Sequence, residues 1–135
     1  SKPFLEGVVN MKAKEYEKLD QKKKTVTLHD EAEIYYTDFE LKAGKIVLDY
    51  EKNLVYAGRL KDSAGNYIQR PVFKQGQNII EPDSIIFHTK SKRAKVWNSR
   101  TKQGELFIKA EISKKENASD FLKENIKEIY LNDIL

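Results

Sequence analysis

The 135-residue chain has no cysteine, which removes thiol catalysis, cysteine metal sites and disulfides and leaves the compartment open. Histidine is nearly as scarce. His29 and His88 are the two in the chain, and neither has a second ligand at a metal-binding spacing such as His-x-x-x-His. There is no Gly-x-Ser-x-Gly elbow and no phosphate-binding loop, so the remaining enzymatic option is a pair of carboxylates drawn from 21 acids, on which the sequence is silent. The expectation is a domain that is not an enzyme and that uses no metal and no cofactor. No apolar run approaches the ~20 residues of a membrane helix. The opening SKPFLEGVVN lacks the basic-then-apolar order of a signal peptide, and the chain ends inside the apolar-rich IYLNDIL. Both features point to a fragment of a longer, processed protein.

What is present is a lean but foldable mixture: 39% hydrophobic and 34% charged residues. That is far from the few-aromatic, high-net-charge composition of a disordered chain. Strands that commit one face to an interior give such a composition. The 25 Lys+Arg against 21 Asp+Glu leave +4, a modest excess that suits an anionic partner, a phosphorylated glycolipid included, without requiring one. The length fits one domain, residues 1–135, able to bury roughly two-thirds of its unfolded surface.

Residues 32–57 carry the clearest periodicity. Ala32, Ile34 and Tyr36 alternate with Glu33, Tyr35 and Thr37; Phe39, Leu41 and Ala43 alternate with Glu40 and Lys42; Ile46, Leu48 and Tyr50 alternate with Lys45, Val47 and Asp49. Glu51-Lys52-Asn53 then makes a polar turn before Val55 and Ala57 resume the apolar phase. Asp62-Ser63-Ala64-Gly65-Asn66 signals a hairpin, since Gly and Asn tolerate positive φ, and a second turn lies at Gln75-Gly76-Gln77-Asn78.

The pattern recurs without a gap. Laying residues 39–57 over 78–96 puts Leu41, Ala43, Ile46, Leu48, Tyr50 and Ala57 on Ile80, Pro82, Ile85, Phe87, Thr89 and Val96. A fainter copy places Met11, Ala13 and Tyr16 before a Lys22-Lys23-Lys24 turn and Val26 and Leu28 after it; another starts at Leu106, Ile108 and Ala110. Each unit reads as strand, corner, strand, turn, strand, and stacked units of this kind build an elongated β structure around a shared apolar interior. Pro82 lacks a ladder donor and marks an edge, a bulge or a strand start. Over 119–130, Ser119 could cap a short helix with Leu122, Ile126 and Ile129 along one face.

Residues 90–102 hold six basic residues, Lys90, Lys92, Arg93, Lys95, Arg100 and Lys102, with Trp97 among them and no acid. Basic side chains beside an aromatic ring can bind phosphates of a lipid headgroup or of nucleic acid. The same residues also read as a solvated turn and an outward strand face.

The quoted pattern resembles a known family. The A-E-I-Y-Y opening, L-K-A-x-x-I-x-L-D-Y, the N-x-V-x-A return strand, D-S-x-G ahead of R-P-V-F, P-D-S-I with the T-K-S-K-R turn, and T-K-Q-G-E-L-F at 101–107 resemble the OstA-type lipopolysaccharide-transport family. The likeness is to the N-terminal periplasmic region of its large outer-membrane assembly protein and, more loosely, to its small periplasmic bridge protein. It covers roughly residues 5–112. Pro82, where the family commonly has a small residue, and Ile86-Phe87-His88 depart from it, which weakens residue-level inference about ligand contacts in the second repeat.

The resemblance implies an all-β, twisted antiparallel open jelly-roll, or β-taco, with lipid A acyl chains between its sheets. Leu41, Ala43, Ile46, Leu48, Tyr50, Val55, Ala57, Ile85 and Phe87 would face that lipid-binding interior, and Lys90, Lys92 and Arg93 would be possible phosphate contacts. The implied partners are lipopolysaccharide, other OstA-type domains joined by edge-strand addition, and an outer-membrane barrel of the same or a partner protein. The implied location is the periplasm, in association with the outer membrane. Two other functions fit the residues themselves: a structural or assembly β module with a closed core and no ligand, and a nucleic-acid-binding β domain using the 90–102 cluster.

Overall fold

The computed structural model describes residues 8–36, 39–91, 93–101, 111–112 and 126–130. Among them every regular element is a strand, and every pairing is antiparallel. The chain forms β1 (Val8–Lys12), β2 (Tyr16–Asp20), the long β3 (Thr25–Tyr36) and β4 (Glu40–Asp49), then β5 (Leu54–Gly58). A small hairpin, β6 (Leu60–Lys61) and β7 (Tyr67–Ile68), leads to β8 (Val72–Gln75), β9 (Asn78–Glu81), β10 (Ser84–His88), β11 (Arg93–Trp97) and β12 (Arg100–Thr101). β13 (Glu111–Ile112) and β14 (Ile126–Tyr130) complete the described strands.

One relationship organises the whole molecule. β4 pairs with β3 along most of its length, but on its other side it forks: Glu40–Lys42 pair with β8, and Lys45–Asp49 pair with β5. The next unit repeats the fork with a break in place of a bend. β9 lies beside β8 and β10 beside β5, with Pro82 and Asp83 between them. A proline has no N–H for a ladder, and here it stands in the gap between strands, where none is needed. The result is one open sheet in two leaves. The first leaf contains β1, the later half of β3, the start of β4, and β8, β9 and β12; the second contains β2, the start of β3, the end of β4, and β5, β10, β11, β14 and β13.

The leaves face each other. Phe73 on β8 and Phe87 on β10 belong to different leaves, yet their ring centroids lie 6.3 Å apart in an edge-on arrangement. The fold line is built by local chemistry. Asp30 and Glu31 bulge out of β3 at φ 75° and 45°, and Gly44 of β4 lies opposite. A bulge bends a strand and sharpens its twist. Glycine is required at the fold line because the β6–β7 hairpin crosses there: a Cβ on Gly44 would lie 2.8 Å from the Leu60 backbone nitrogen. The Gly44 N–H donates to the Gln69 carbonyl at 2.9 Å, which fixes the crossing.

The architecture is therefore an all-β open antiparallel sheet consistent with the open jelly-roll that the family resemblance implies, and two details correct the reading of the residues. Ile126 and Ile129 lie on β14, paired with β11, not on a helix; residues 119–125, which carry the expected cap, lie outside the described residues. A β11 edge that needs a partner outweighs a weak local i, i+3 pattern in a segment rich in Ile and Tyr. Tyr16, expected inward with Met11 and Ala13, sits on the outer face, stacked on His29 at 4.9 Å. The corner after β1 holds the extra residues that face the Asp30-Glu31 bulge, and a one-residue change reverses the inward phase, so Glu17 and Leu19 take it instead. The copy expected from Leu106 to Ala110 lies outside the described residues.

Candidate functional site

The interior between the leaves is made of continuous rungs. In the second leaf Leu28, Ile46, Ala57, Ile85 and Val96 stand side by side on successive strands, and Val26, Leu48, Val55, Phe87 and Ala94 form the next rung. In the first leaf Ile34, Leu41, Phe73 and Ile80 form the facing rung. All of these are buried. Rungs form because a strand's side chains alternate faces, so residues directly opposite across antiparallel strands share one.

The 39-residue repeat accounts for this order. Each inward residue of the first unit has its counterpart in the same role: Leu41 and Ile80, Ala43 and Pro82, Ile46 and Ile85, Leu48 and Phe87, Val55 and Ala94, Ala57 and Val96 are all buried. Of the nine residues expected to face the interior, Leu41, Ala43, Ile46, Leu48, Val55, Ala57, Ile85 and Phe87 are buried there, and Tyr50 is half-buried against the same core.

Opposite the fold line the leaves end in two lips. At the first, Phe39 reaches between the leaves, with its ring 5.0 Å from Phe73 and 5.9 Å from Phe87, and Tyr36 stacks on it at 5.4 Å. Phe39 is only half-buried, while Phe73 and Phe87, against which it packs, are fully buried, so at this lip solvent reaches Phe39 and stops there. Leu19, on the inward phase of the end strand β2, is 54% exposed and marks a second place where the interior is open.

The lip of the second leaf consists of the β2–β3, β4–β5 and β10–β11 turns. Lys90 and Arg93 lie exposed at the last of these, and Lys92 lies outside the described residues. Arg93 also borders a shallow cavity of about 360 Å³ on the outer face of β5, β10 and β11, with Leu54, Ile86, His88, Ala94 and Lys95. The basic turn is thus beside the mouth of the interior, not inside it. The histidines are far apart in role: His29 stacks on Tyr16, while His88 Nδ1 accepts the Ser91 N–H at 3.1 Å.

The fold line carries a polar clamp that sequence reasoning missed. Asp83, at the break between β9 and β10, accepts hydrogen bonds from the Arg70 guanidinium and, at 2.8 Å, from the Asn98 side-chain amide, with the Arg59 guanidinium 3.6 Å away. Gln69 adds a second tie, donating to Asp30 at 2.8 Å and accepting from the Glu31 N–H at 2.7 Å. Partners separated by tens of residues leave no local signature. Phe73 was also missed as a site residue, although it is the last residue of the R-P-V-F signal; a short strand hides which leaf it joins.

Fold and site together define an all-β domain of the folded-open-sheet class, with an apolar interior and a basic lip. Beyond that class, no protein-family model matches the chain, and no curated protein matches it.

Proposed function

We propose that the chain is a lipid-carrying domain of the OstA-type lipopolysaccharide-transport family, acting in the periplasm next to the outer membrane. The observation that carries the reading is the coincidence of the 39-residue repeat with contiguous rungs. It gives an apolar surface that runs across strands instead of closing round one point. A buried methylene is worth about 0.8 kcal/mol, so an acyl chain of ~12 carbons gains on the order of 10 kcal/mol gross, before ordering and association costs. A surface of similar rungs lets a chain slide by exchanging equivalent contacts, which transport needs.

Acyl chains would enter at the Phe39, Phe73 and Phe87 cluster and part the leaves along the lips. Moving apart two leaves that pivot on a fold line is less costly than opening a closed barrel, because no ladder hydrogen bonds break. β2 has β3 on one side and no described strand on the other, so it is the natural edge for addition of another domain of the same family, with an outer-membrane barrel as the downstream partner.

A second reading, a structural module with a filled core and no ligand, draws on the near-complete burial of those rungs. Titration of the domain with fluorescent lipopolysaccharide separates the two. The lipid carrier binds saturably and is competed by unlabelled lipopolysaccharide; a filled module takes up neither the lipid nor a hydrophobic dye. Nucleic-acid binding through the 90–102 cluster would instead show as binding of a single-stranded oligonucleotide that falls steeply with salt.

A further inference from the structure

The three turns on the lip of the second leaf share one design. Asp20 accepts the Lys23 N–H at 2.9 Å, Asp49 accepts the Lys52 N–H at 2.8 Å, and His88 accepts the Ser91 N–H at 3.1 Å. In each case the last residue of a strand, or its neighbour, caps the amide three residues on. In the first two turns the following residue, Lys24 or Asn53, takes φ 58°. The turns are also tied to one another in series. The Tyr50 N–H donates to the Lys24 carbonyl at 3.0 Å, and the Thr89 N–H donates to the Asn53 carbonyl at 2.9 Å.

This arrangement sorts the charges. Asp20 and Asp49 turn their carboxylates onto backbone amides at the base of the turns, while Lys22, Lys23, Lys24, Lys52 and Lys90 stay exposed. None of these five lysines forms an ion pair with a described residue. Glu51 is the one exposed acid among them. Adjacent turns are two strands apart, which sets them roughly 10 Å from one another. The facing lip is different: its β8–β9 turn reads Gln75-Gly76-Gln77-Asn78, and its described charges, Glu40 and Lys74, pair with each other at 3.9 Å.

We infer that the lip of the second leaf is the headgroup side of the mouth: its three linked turns form a cationic row that holds an anionic amphiphile by its phosphates while the chains enter the interior. The inference rests on the lipid-carrying reading and adds to it an orientation and a ligand class. The favoured headgroup carries two anionic groups about 10 Å apart, each meeting one turn. The opposite lip, whose described charges pair with each other, leaves the far side of the headgroup in water.

The test compares the intact chain with a Lys23→Glu, Lys52→Glu, Lys90→Glu triple variant and with a Gln77→Glu control on the facing lip. The probes are fluorescent lipopolysaccharide, the same lipid after enzymatic dephosphorylation, and inorganic pyrophosphate as a competitor. All four positions are exposed, and circular dichroism verifies folding. The expected result is that the triple variant loses affinity for the phosphorylated lipid by on the order of tenfold, keeps its affinity for the dephosphorylated lipid, and is matched by no loss in the control. Equal affinity of the parent and triple variant for the phosphorylated lipid overturns the inference, as does an equal loss for both lipids. Complete displacement of lipid by millimolar pyrophosphate also overturns it, since the row would then be a free-anion site that does not act together with the interior. Failure of the unaltered chain to bind either lipid sinks the lipid-carrying reading itself.

Discussion

Ile46 and Ile85 flank Ala57 on one rung of the second leaf, in equivalent positions of the two repeat units. Both are fully buried. The same substitution at the two sites should therefore have the same effect. Ile46→Val and Ile85→Val are each expected to cost about 1 kcal/mol in urea unfolding, and the double variant about the sum, because the two side chains are separated by a strand. Phe87→Ala, which empties a larger buried site, is expected to cost ~3–5 kcal/mol, and Phe39→Ala clearly less, since half-buried Phe39 leaves a gap that solvent can fill.

Gly44 marks the fold line. Gly44→Ala would bring a methyl group within 2.8 Å of the backbone and side chain of Leu60, so either β4 or the crossing hairpin must move. The expected loss is ~1–3 kcal/mol. Gly76→Ala is a useful contrast, because nothing lies within 4 Å of the added carbon and the cost comes only from the left-handed φ of 59°, about 1 kcal/mol. Thermal and urea unfolding of the two variants rank them.

Asp83 joins three groups from three separate segments at the fold line. Asp83→Ala removes the acceptor shared by the Arg70 guanidinium and the Asn98 amide, and the charge beside the Arg59 guanidinium, and is expected to cost about 2–3 kcal/mol. Asp83→Asn keeps an acceptor oxygen and should lose less. Equal losses for the two variants would mean that charge, not hydrogen bonding, is what Asp83 supplies.

Tyr35 gives a pH dependence. Its phenol donates to the Glu33 carboxylate, and that hydrogen bond, with burial and the negative charges of Glu33 and Glu40, pushes its pKa up to about 12. A raised folded-state value favours the protonated native form. The resulting stability is fully present below the ordinary tyrosine value of about 10 and is lost as pH rises from there through about 12. Absorbance titration of phenolate should show a late-ionising tyrosine that disappears in Tyr35→Phe.

Much of this fold is legible in the residues because the strands alternate in two-residue steps on either side of the fold line. The inward positions from Ala32 to Ala57 follow from that alternation once the phase is reset at the Gly44 corner and at the 51–53 turn. The repeat extends them to Ile80, Ile85, Phe87 and Val96. What escaped depends on long-range geometry. Tyr16 lies outward because of the register of a corner against the Asp30-Glu31 bulge, and the β14 isoleucines have a spacing that helix and strand both accommodate until β11 supplies a partner. The Asp83 clamp and the assignment of Phe73 to the first leaf depend on which strands meet. The common cap of the lip turns was hidden as well, since its acceptor is aspartate twice and histidine once.

The central claim, that acyl chains occupy the space between the leaves, is tested most directly by site-specific photocrosslinking to purified lipopolysaccharide. A photoreactive phenylalanine analogue replaces Phe39, Phe87 or Leu48 on the inward face, with Lys42 and Lys95 as outward controls. The account predicts lipid crosslinks at the inward positions, strongest at Phe39 where the interior meets the mouth, and none at the controls. Folded variants that give no crosslink at any inward position, or give equal crosslinks at Lys42 and Lys95, would contradict it and leave the domain as a structural module with a filled core.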